Sequence, residues 1–121
     1  YREFCRPASS EMESINVMEL KALLDSAPGE IVLVDVRNPA EAEVASIDGS
    51  HLVPLASLES GEAIDRIRSL SEGRRLLVHC KLGGRSARAV ELLGQQGIAA
   101  TNVTGGIDAW SQQVDPAIPR Y

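Results

Sequence analysis

The sequence predicts an α/β fold: a mostly parallel sheet covered by helices on both faces. Unbroken aliphatic runs, Ile31-Val32-Leu33-Val34 and Leu76-Leu77-Val78-His79, have the composition of strands buried on both sides. Stretches with apolar residues at helical spacing separate them. The two kinds alternate at short intervals, an order that implies parallel strands joined by crossover helices.

Residues 1–14 are polar and aperiodic and read as an interdomain linker, leaving 15–121 as the domain. Asn16-Val17-Met18-Glu19 is a capping-box pattern, with Asn16 as N-cap and Glu19 reaching back. Val17, Leu20, Leu23 and Leu24 then form one helical stripe, which Pro28-Gly29 ends. The Ile31–Val34 strand follows. Asn38-Pro39 opens a short helix, the asparagine as cap and the proline in the first turn. His51–Leu55 reads as a brief extended edge piece because it contains Pro54. Ala63, Ile64, Ile67 and Leu70 give the next helical face. After the Leu76–His79 strand, Ser86–Gln96 reads as a helix with Ala87, Val90 and Leu93 inward, ended by Gly97. Ala100–Val103 is a third strand, and Gly105-Gly106 precedes a short helix through Trp110.

A length of 121 residues suits one domain with a real core, and the 44% hydrophobic share argues against disorder. No run approaches the roughly 18 apolar residues of a membrane span. Tyr1-Arg2-Glu3-Phe4 offers neither an initiator Met nor an apolar segment, so we expect no signal peptide, a cytoplasmic location and a piece of a longer chain. The net charge of −5 is unevenly spread: residues 1–72 carry 14 acids and 6 bases, residues 73–121 carry 3 acids and 6 bases. Between Glu72 and Glu91 lie Arg74, Arg75, Lys81, Arg85 and Arg88 and no acid. The only aromatics are Tyr1, Phe4, Trp110 and Tyr121. An acidic chain without a stacking platform is a poor nucleic-acid binder, so the basic stretch suits a small anion or an acidic partner. Two cysteines, Cys5 and Cys80, are too few for a disulfide framework and read as free thiols. His51 and His79 are far apart and no Cys-x-x-Cys spacing exists, so no metal is expected.

The informative segment is Cys80-Lys81-Leu82-Gly83-Gly84-Arg85-Ser86. A cysteine ends a buried strand, a glycine-containing loop follows, and a helix begins. Glycines let the backbone curl so that successive N–H groups point inward as an anion nest. The helix start adds unpaired N–H groups and a positive dipole end, and Lys81 and Arg85 add charge. Each favours thiolate over thiol, so Cys80 is a candidate nucleophile with a depressed pKa. Alone, Cys80 would read as a small buried hydrophobe; its strand–loop–helix setting changes that. His79, its neighbour on the strand, points to the opposite face and reads as a packed histidine.

These residues resemble the rhodanese family, whose active loop reads Cys-x-x-Gly-x-Arg-Ser. Cys80, Gly83, Arg85 and Ser86 stand in those positions. Asp35-Val36-Arg37 resembles the family's Asp-x-Arg element, Ile47–Pro54 its Ile-x-Gly-Ala-x-x-Ile-Pro stretch, and Gly105–Trp110 its closing Gly-Gly-x-x-x-Trp. The resemblance spans about residues 15–116 and implies a rhodanese-like three-layer sandwich. The ends, Tyr1–Cys5 and Asp115–Tyr121, are similar to the rhodanese domains fused behind the adenylation module of molybdopterin-type adenylyltransferase/sulfurtransferases.

The resemblance implies a sulfurtransferase. Cys80 would take a sulfane sulfur from a cysteine desulfurase persulfide or from thiosulfate. The N–H groups of residues 81–86 would cradle the anionic persulfide, with Lys81, Leu82, Gly83, Gly84, Arg85 and Ser86 as the sulfur-binding loop. Asp35 and Arg37 would support it, with Arg85 bracing the loop by pairing with Asp35. The acceptor would be the adenylated C-terminal glycine of a ubiquitin-like sulfur carrier. This domain would need no cofactor; ATP and Mg²⁺ would belong to an N-terminal adenylation module. Two other classes share the fold. Rhodanese-like phosphatases use a longer Cys-x-x-x-x-x-Arg loop, whereas Cys80 to Arg85 is Cys-x-x-x-x-Arg, a smaller ring better suited to one sulfur atom. Non-catalytic docking modules lack the cysteine that is present here.

Overall fold

Asn16 Oδ1 accepts the Glu19 N–H at 2.8 Å, and the Glu19 carboxylate accepts the Asn16 N–H at 3.0 Å. The reciprocal bonds start helix α1 (Val17–Ser26) at the expected cap. The computed structural model describes residues 13–119; residues 1–12 of the expected linker, with the Tyr1–Cys5 resemblance, and Arg120 and Tyr121 lie outside that span. The elements after α1 are β2 (Ile31–Asp35), α2 (Pro39–Val44), β3 (His51–Leu52), α3 (Leu55–Glu59), α4 (Ile64–Ser71), β4 (Arg75–His79), α5 (Gly84–Gln95), β5 (Thr101–Val103) and α6 (Gly106–Gln113). A first strand, β1 (Ser14–Ile15), precedes α1. The five strands form one sheet in the order β1-β5-β4-β2-β3, and every pairing among them is parallel.

The continuous apolar runs serve two faces by alternation. Val32, Val34, Leu76, Val78 and Cys80 face a core closed by Leu58 of α3, Ile64 and Ile67 of α4, and Ala89 and Leu93 of α5. Ile31, Leu33, Leu77 and Val103 face the opposite core, closed by Val17 and Leu20 of α1 and by Ile107 and Trp110 of α6. The result is the expected three-layer sandwich, with β4 at its centre. The carboxyl ends of β2, β4 and β5 meet along one edge, where open α/β sheets bind their ligands.

Several boundaries differ from the sequence reading. Ser14, assigned there to the linker, pairs with Asn102 in the sheet, and the Glu13 carbonyl accepts the Asn102 N–H at 3.0 Å. A strand of two residues is too short to carry a period. Only His51–Leu52 of the expected extended piece is strand; Leu55 begins α3, because Pro54, bound to its own turn through Ser57, serves as that helix's N-cap. Helix α5 starts at Gly84, two residues before Ser86; it buries Ser86 and Ala89 along with the expected Leu93, while Val90 packs half-buried against the same core and Ala87 is half-buried. The stripe was missed because its first member is polar. Helix α6 runs past Trp110 to Gln113.

His79 is fully buried, and its Nε2 is without a hydrogen-bond partner. Burial, aided by Arg37, holds its pKa below the ordinary value near 6.5 against the opposing pull of Asp35 and the Cys80 carbonyl. Above that value both the folded and unfolded chains carry a neutral imidazole. Below it the unfolded chain takes up the proton first, so stability should fall as pH drops from about 6.5 toward the depressed folded value. Urea midpoints measured across this window should decline for the native protein and stay flatter for His79→Gln; parallel curves would contradict the assignment.

Candidate active site

Cys80 follows the last residue of β4 and is 1% exposed. Its thiol is free. The chain then turns through Gly83, whose φ of +119° is a left-handed value that favours glycine, and enters α5. The turn aims the Gly83 N–H at Cys80 Sγ, 3.0 Å away. Ser86, in the first turn of α5, places its Oγ 3.5 Å from the same sulfur. Burial raises the thiol pKa. The Ser86 hydroxyl and the backbone N–H groups of Ser86, Gly83 and Leu82 outweigh it, and the net shift is downward. The site therefore favours the thiolate, and does so with neutral donors.

The loop's carbonyls face the other way. The N–H groups of Ile107 and Asp108, in the first turn of α6, donate to the carbonyls of Cys80 at 2.9 Å and Lys81 at 3.0 Å. Gly106 permits this approach. A Cβ there would collide with the Cys80 carbonyl and lie 2.6 Å from that of Lys81. Helix α6 thus fixes the carbonyls outward, which leaves the following N–H groups to turn toward the sulfur.

The sequence-predicted residues divide by task. Cys80, Leu82, Gly83 and Ser86 meet at the sulfur. Leu82 contributes its N–H while its side chain is 65% exposed. Lys81 is half-buried and ties the loop to α6 through its carbonyl; Gly84 opens α5 on the surface. Arg85 braces the loop, but its partner is Glu41 and not Asp35: Nη1 and Nη2 reach the two carboxylate oxygens at 2.5 and 2.9 Å. Asp35 is engaged elsewhere. Its carboxylate accepts Arg37 Nε at 2.9 Å and Nη2 at 2.6 Å, and the Arg37 backbone N–H at 3.0 Å. Arg37 also donates to the Ala45 carbonyl at 2.6 Å, and it is fully buried. The two supporting residues act on α2, and α2 presents Glu41 to Arg85.

Two residues escaped the sequence reading. Glu41 lies three residues after Asn38, and its carboxylate also accepts the Asn38 N–H at 3.2 Å; the capping pattern could have found it, though not its second role. Asn102 lies in β5 with its Oδ1 2.5 Å from Ser86 Oγ. A polar side chain inside a buried strand was the available signal. A shallow groove lined by Lys21, Leu24, Ile47, Trp110, Val114 and Ile118 lies between α1 and α6 and includes none of the loop residues. Among the described residues no group of His, Cys, Asp and Glu is arranged to hold a metal, and no helix is long and apolar enough to cross a membrane.

The close approach at Gly106 makes a direct prediction. Gly106→Ala should destabilise the fold by about 1–3 kcal/mol, the usual cost of overpacking, and slow alkylation of Cys80 by displacing its loop. Denaturant unfolding and thiol alkylation rates check both halves; a variant with native stability and native alkylation would refute the packing argument.

The chain is similar to known proteins over most of its length. The rhodanese-like domain family matches residues 16–113. An uncharacterized 16.5 kDa protein encoded in the psaL 5′ region of Synechococcus elongatus is 45% identical over 115 residues, which cover 92% of this chain and 77% of that protein. The probable adenylyltransferase/sulfurtransferase MoeZ of Mycobacterium tuberculosis is 33% identical over 128 residues, covering all of this chain but 32% of MoeZ. The crystal structure of a rhodanese-like domain protein from Staphylococcus aureus superposes with a TM-score of 0.72 at 32% identity, over 91% of this chain and 99% of that one. With its cysteine loop at the carboxyl end of β4 and this match along nearly its whole described length, the chain belongs to the rhodanese-like domain family.

Proposed function

We propose that this domain is a sulfurtransferase in which Cys80 carries sulfur as a persulfide. The observation that carries the reading is the ring of neutral donors on Cys80 Sγ, with the Gly83 N–H at 3.0 Å and the thiol pKa lowered despite burial. A thiolate so held attacks the sulfane sulfur of thiosulfate; the S–S bond breaks, sulfite leaves with the electron pair, and Cys80–S–S⁻ remains. A desulfurase persulfide gives the same product and leaves its own thiolate. The loop that stabilises the thiolate then has donors for the anionic terminal sulfur. Displacement at sulfur needs no cofactor on this chain.

The acceptor in this reading is the adenylated C-terminus of a ubiquitin-like sulfur carrier. The persulfide attacks the acyl adenylate, AMP leaves, and an acyl disulfide forms; a thiol reductant then releases the carrier thiocarboxylate. The resemblance to MoeZ, whose name joins adenylyltransferase to sulfurtransferase, supports this arm. ATP and Mg²⁺ would serve the adenylation step on a separate module. The phosphatase alternative gains nothing from the site, because Arg85 is clamped bidentately by Glu41.

Incubation with thiosulfate should add one sulfur atom to the Cys80 peptide, seen by mass spectrometry, and none in Cys80→Ala. No sulfur gain with thiosulfate or with a persulfide-loaded desulfurase would sink the catalytic reading. Sulfur that loads onto Cys80 but never reaches an adenylated carrier would sink only the carrier arm.

A further inference from the structure

We propose that Asn102 is a positioning residue for Cys80: by turning its side-chain amide over, it lets the Ser86 hydroxyl direct its proton onto the sulfur whenever Cys80 is an anion. The inference deepens the sulfurtransferase reading and rests on Cys80 being its nucleophile.

Ser86 is fully buried, and its Oγ has three neighbours competing for one proton. They are Asn102 Oδ1 at 2.5 Å, the Gly83 carbonyl at 3.1 Å and Cys80 Sγ at 3.5 Å. A hydroxyl has one proton to give and two lone pairs. With that proton on Asn102, the lone pairs are left for the sulfur, and an uncharged Cys80 can donate its S–H to them. A thiolate or persulfide anion has no such proton, so the Ser86 O–H must swing to the sulfur. Asn102 Oδ1 would then face the Ser86 oxygen with no hydrogen between them. Rotating the amide by half a turn removes the repulsion and brings Nδ2–H to donate to Ser86 Oγ. The Cys80 proton itself passes to solvent or buffer on ionisation; the reorientation moves no other proton between groups.

Asparagine suits the task because it offers an acceptor and a donor at nearly the same place. Its position on β5, 9% exposed in a strand otherwise buried, is one where an idle polar group would cost stability. The charged groups around the loop are arranged for other work. Arg85 binds Glu41, Asp35 binds Arg37, and His79 faces the opposite side of the sheet. Lys81 follows Cys80, with its carbonyl held by the Asp108 N–H.

The test is the pH dependence of Cys80 alkylation by iodoacetamide in the full chain, followed on the Cys80 peptide with no sulfur donor present. Asn102→Asp offers acceptors only and should raise the midpoint by about one pH unit, which is about tenfold slower reaction at pH values below it. Ser86→Ala should move it the same way. In the Ser86→Ala background Asn102→Asp should add much less than it does alone, since it acts through the hydroxyl. Asn102→Leu, apolar and of similar size, should raise the midpoint by a smaller amount and serves if the aspartate variant does not fold. An unchanged midpoint in a folded Asn102 variant overturns the proposal, as does an Asn102→Asp shift that persists in full without the Ser86 hydroxyl. Ionisation is read here without sulfur transfer, so this failure is distinct from a failure to form persulfide.

Discussion

The first turn of α6 binds the backbone of Cys80 and Lys81, and the rest of the site depends on that contact. Two N–H groups at a helix start, those of Ile107 and Asp108, hold two consecutive carbonyls. A peptide plane held by its carbonyl has its N–H aimed the opposite way. Fixing the Lys81 carbonyl toward α6 therefore sets how the Leu82 N–H, in the same peptide plane, meets the sulfur, and the left-handed turn at Gly83 follows from that start. Only a residue without Cβ lets the helix come this near, which gives Gly106 a packing reason separate from turn formation. The sheet contributes by running β4 and β5 side by side, so that α6, which follows β5, starts beside the loop that follows β4.

The other flank is held by charge. Asp35 and Arg37 form a buried pair in which Arg37 also satisfies the Ala45 carbonyl at the end of α2. Burying two charges is favourable only when their remaining donors and acceptors are met, and losing one partner typically costs about 3–5 kcal/mol. This arrangement meets that condition with backbone groups close in sequence. Its consequence is positional. Helix α2, anchored to the end of β2, carries Glu41 to Arg85, and the bidentate geometry fixes the guanidinium in plane as well as in distance. The loop is thus held from β5 by α6 and from β2 by α2.

Much of this could be read from the residues, for reasons that also explain what could not. The continuous aliphatic runs announced β2 and β4, and the Asn16 and Asn38 caps announced α1 and α2, because these signals are local. The cysteine–glycine loop announced its own chemistry for the same reason. What escaped depends on contacts far apart in sequence. Arg85 and Glu41 are 44 residues apart; from sequence alone Asp35 was an equally good acid for that arginine. Ser86 is buried because it faces the sulfur and Asn102, so the apolar stripe of α5 began with a residue that no hydrophobic pattern would include. Strand β1 is made by pairing with β5, and its two residues carry no signal of their own.

Cys80 is nearly sealed from solvent and yet its acidity is increased, which sets the physical demand on the loop. Desolvating a charged sulfur works against ionisation, and a single neutral hydrogen bond to a charged group contributes only about 1.5–3 kcal/mol. Several donors converging on one atom are needed, and the Ser86 hydroxyl with the N–H groups of Ser86, Gly83 and Leu82 meets that need. Such donors differ from a cation in a way that bears on the proposed role as a carrier of sulfur. A lysine or arginine in contact would form an ion pair that must be broken for the sulfur to attack. Backbone dipoles are fixed by the fold, cost no reorganisation, and would remain in place if the charge moved from the thiolate to the outer atom of the proposed persulfide. The Leu82 side chain of the same loop is exposed, so that one short segment stabilises charge on its inner side and presents an apolar side chain to solvent on its outer side.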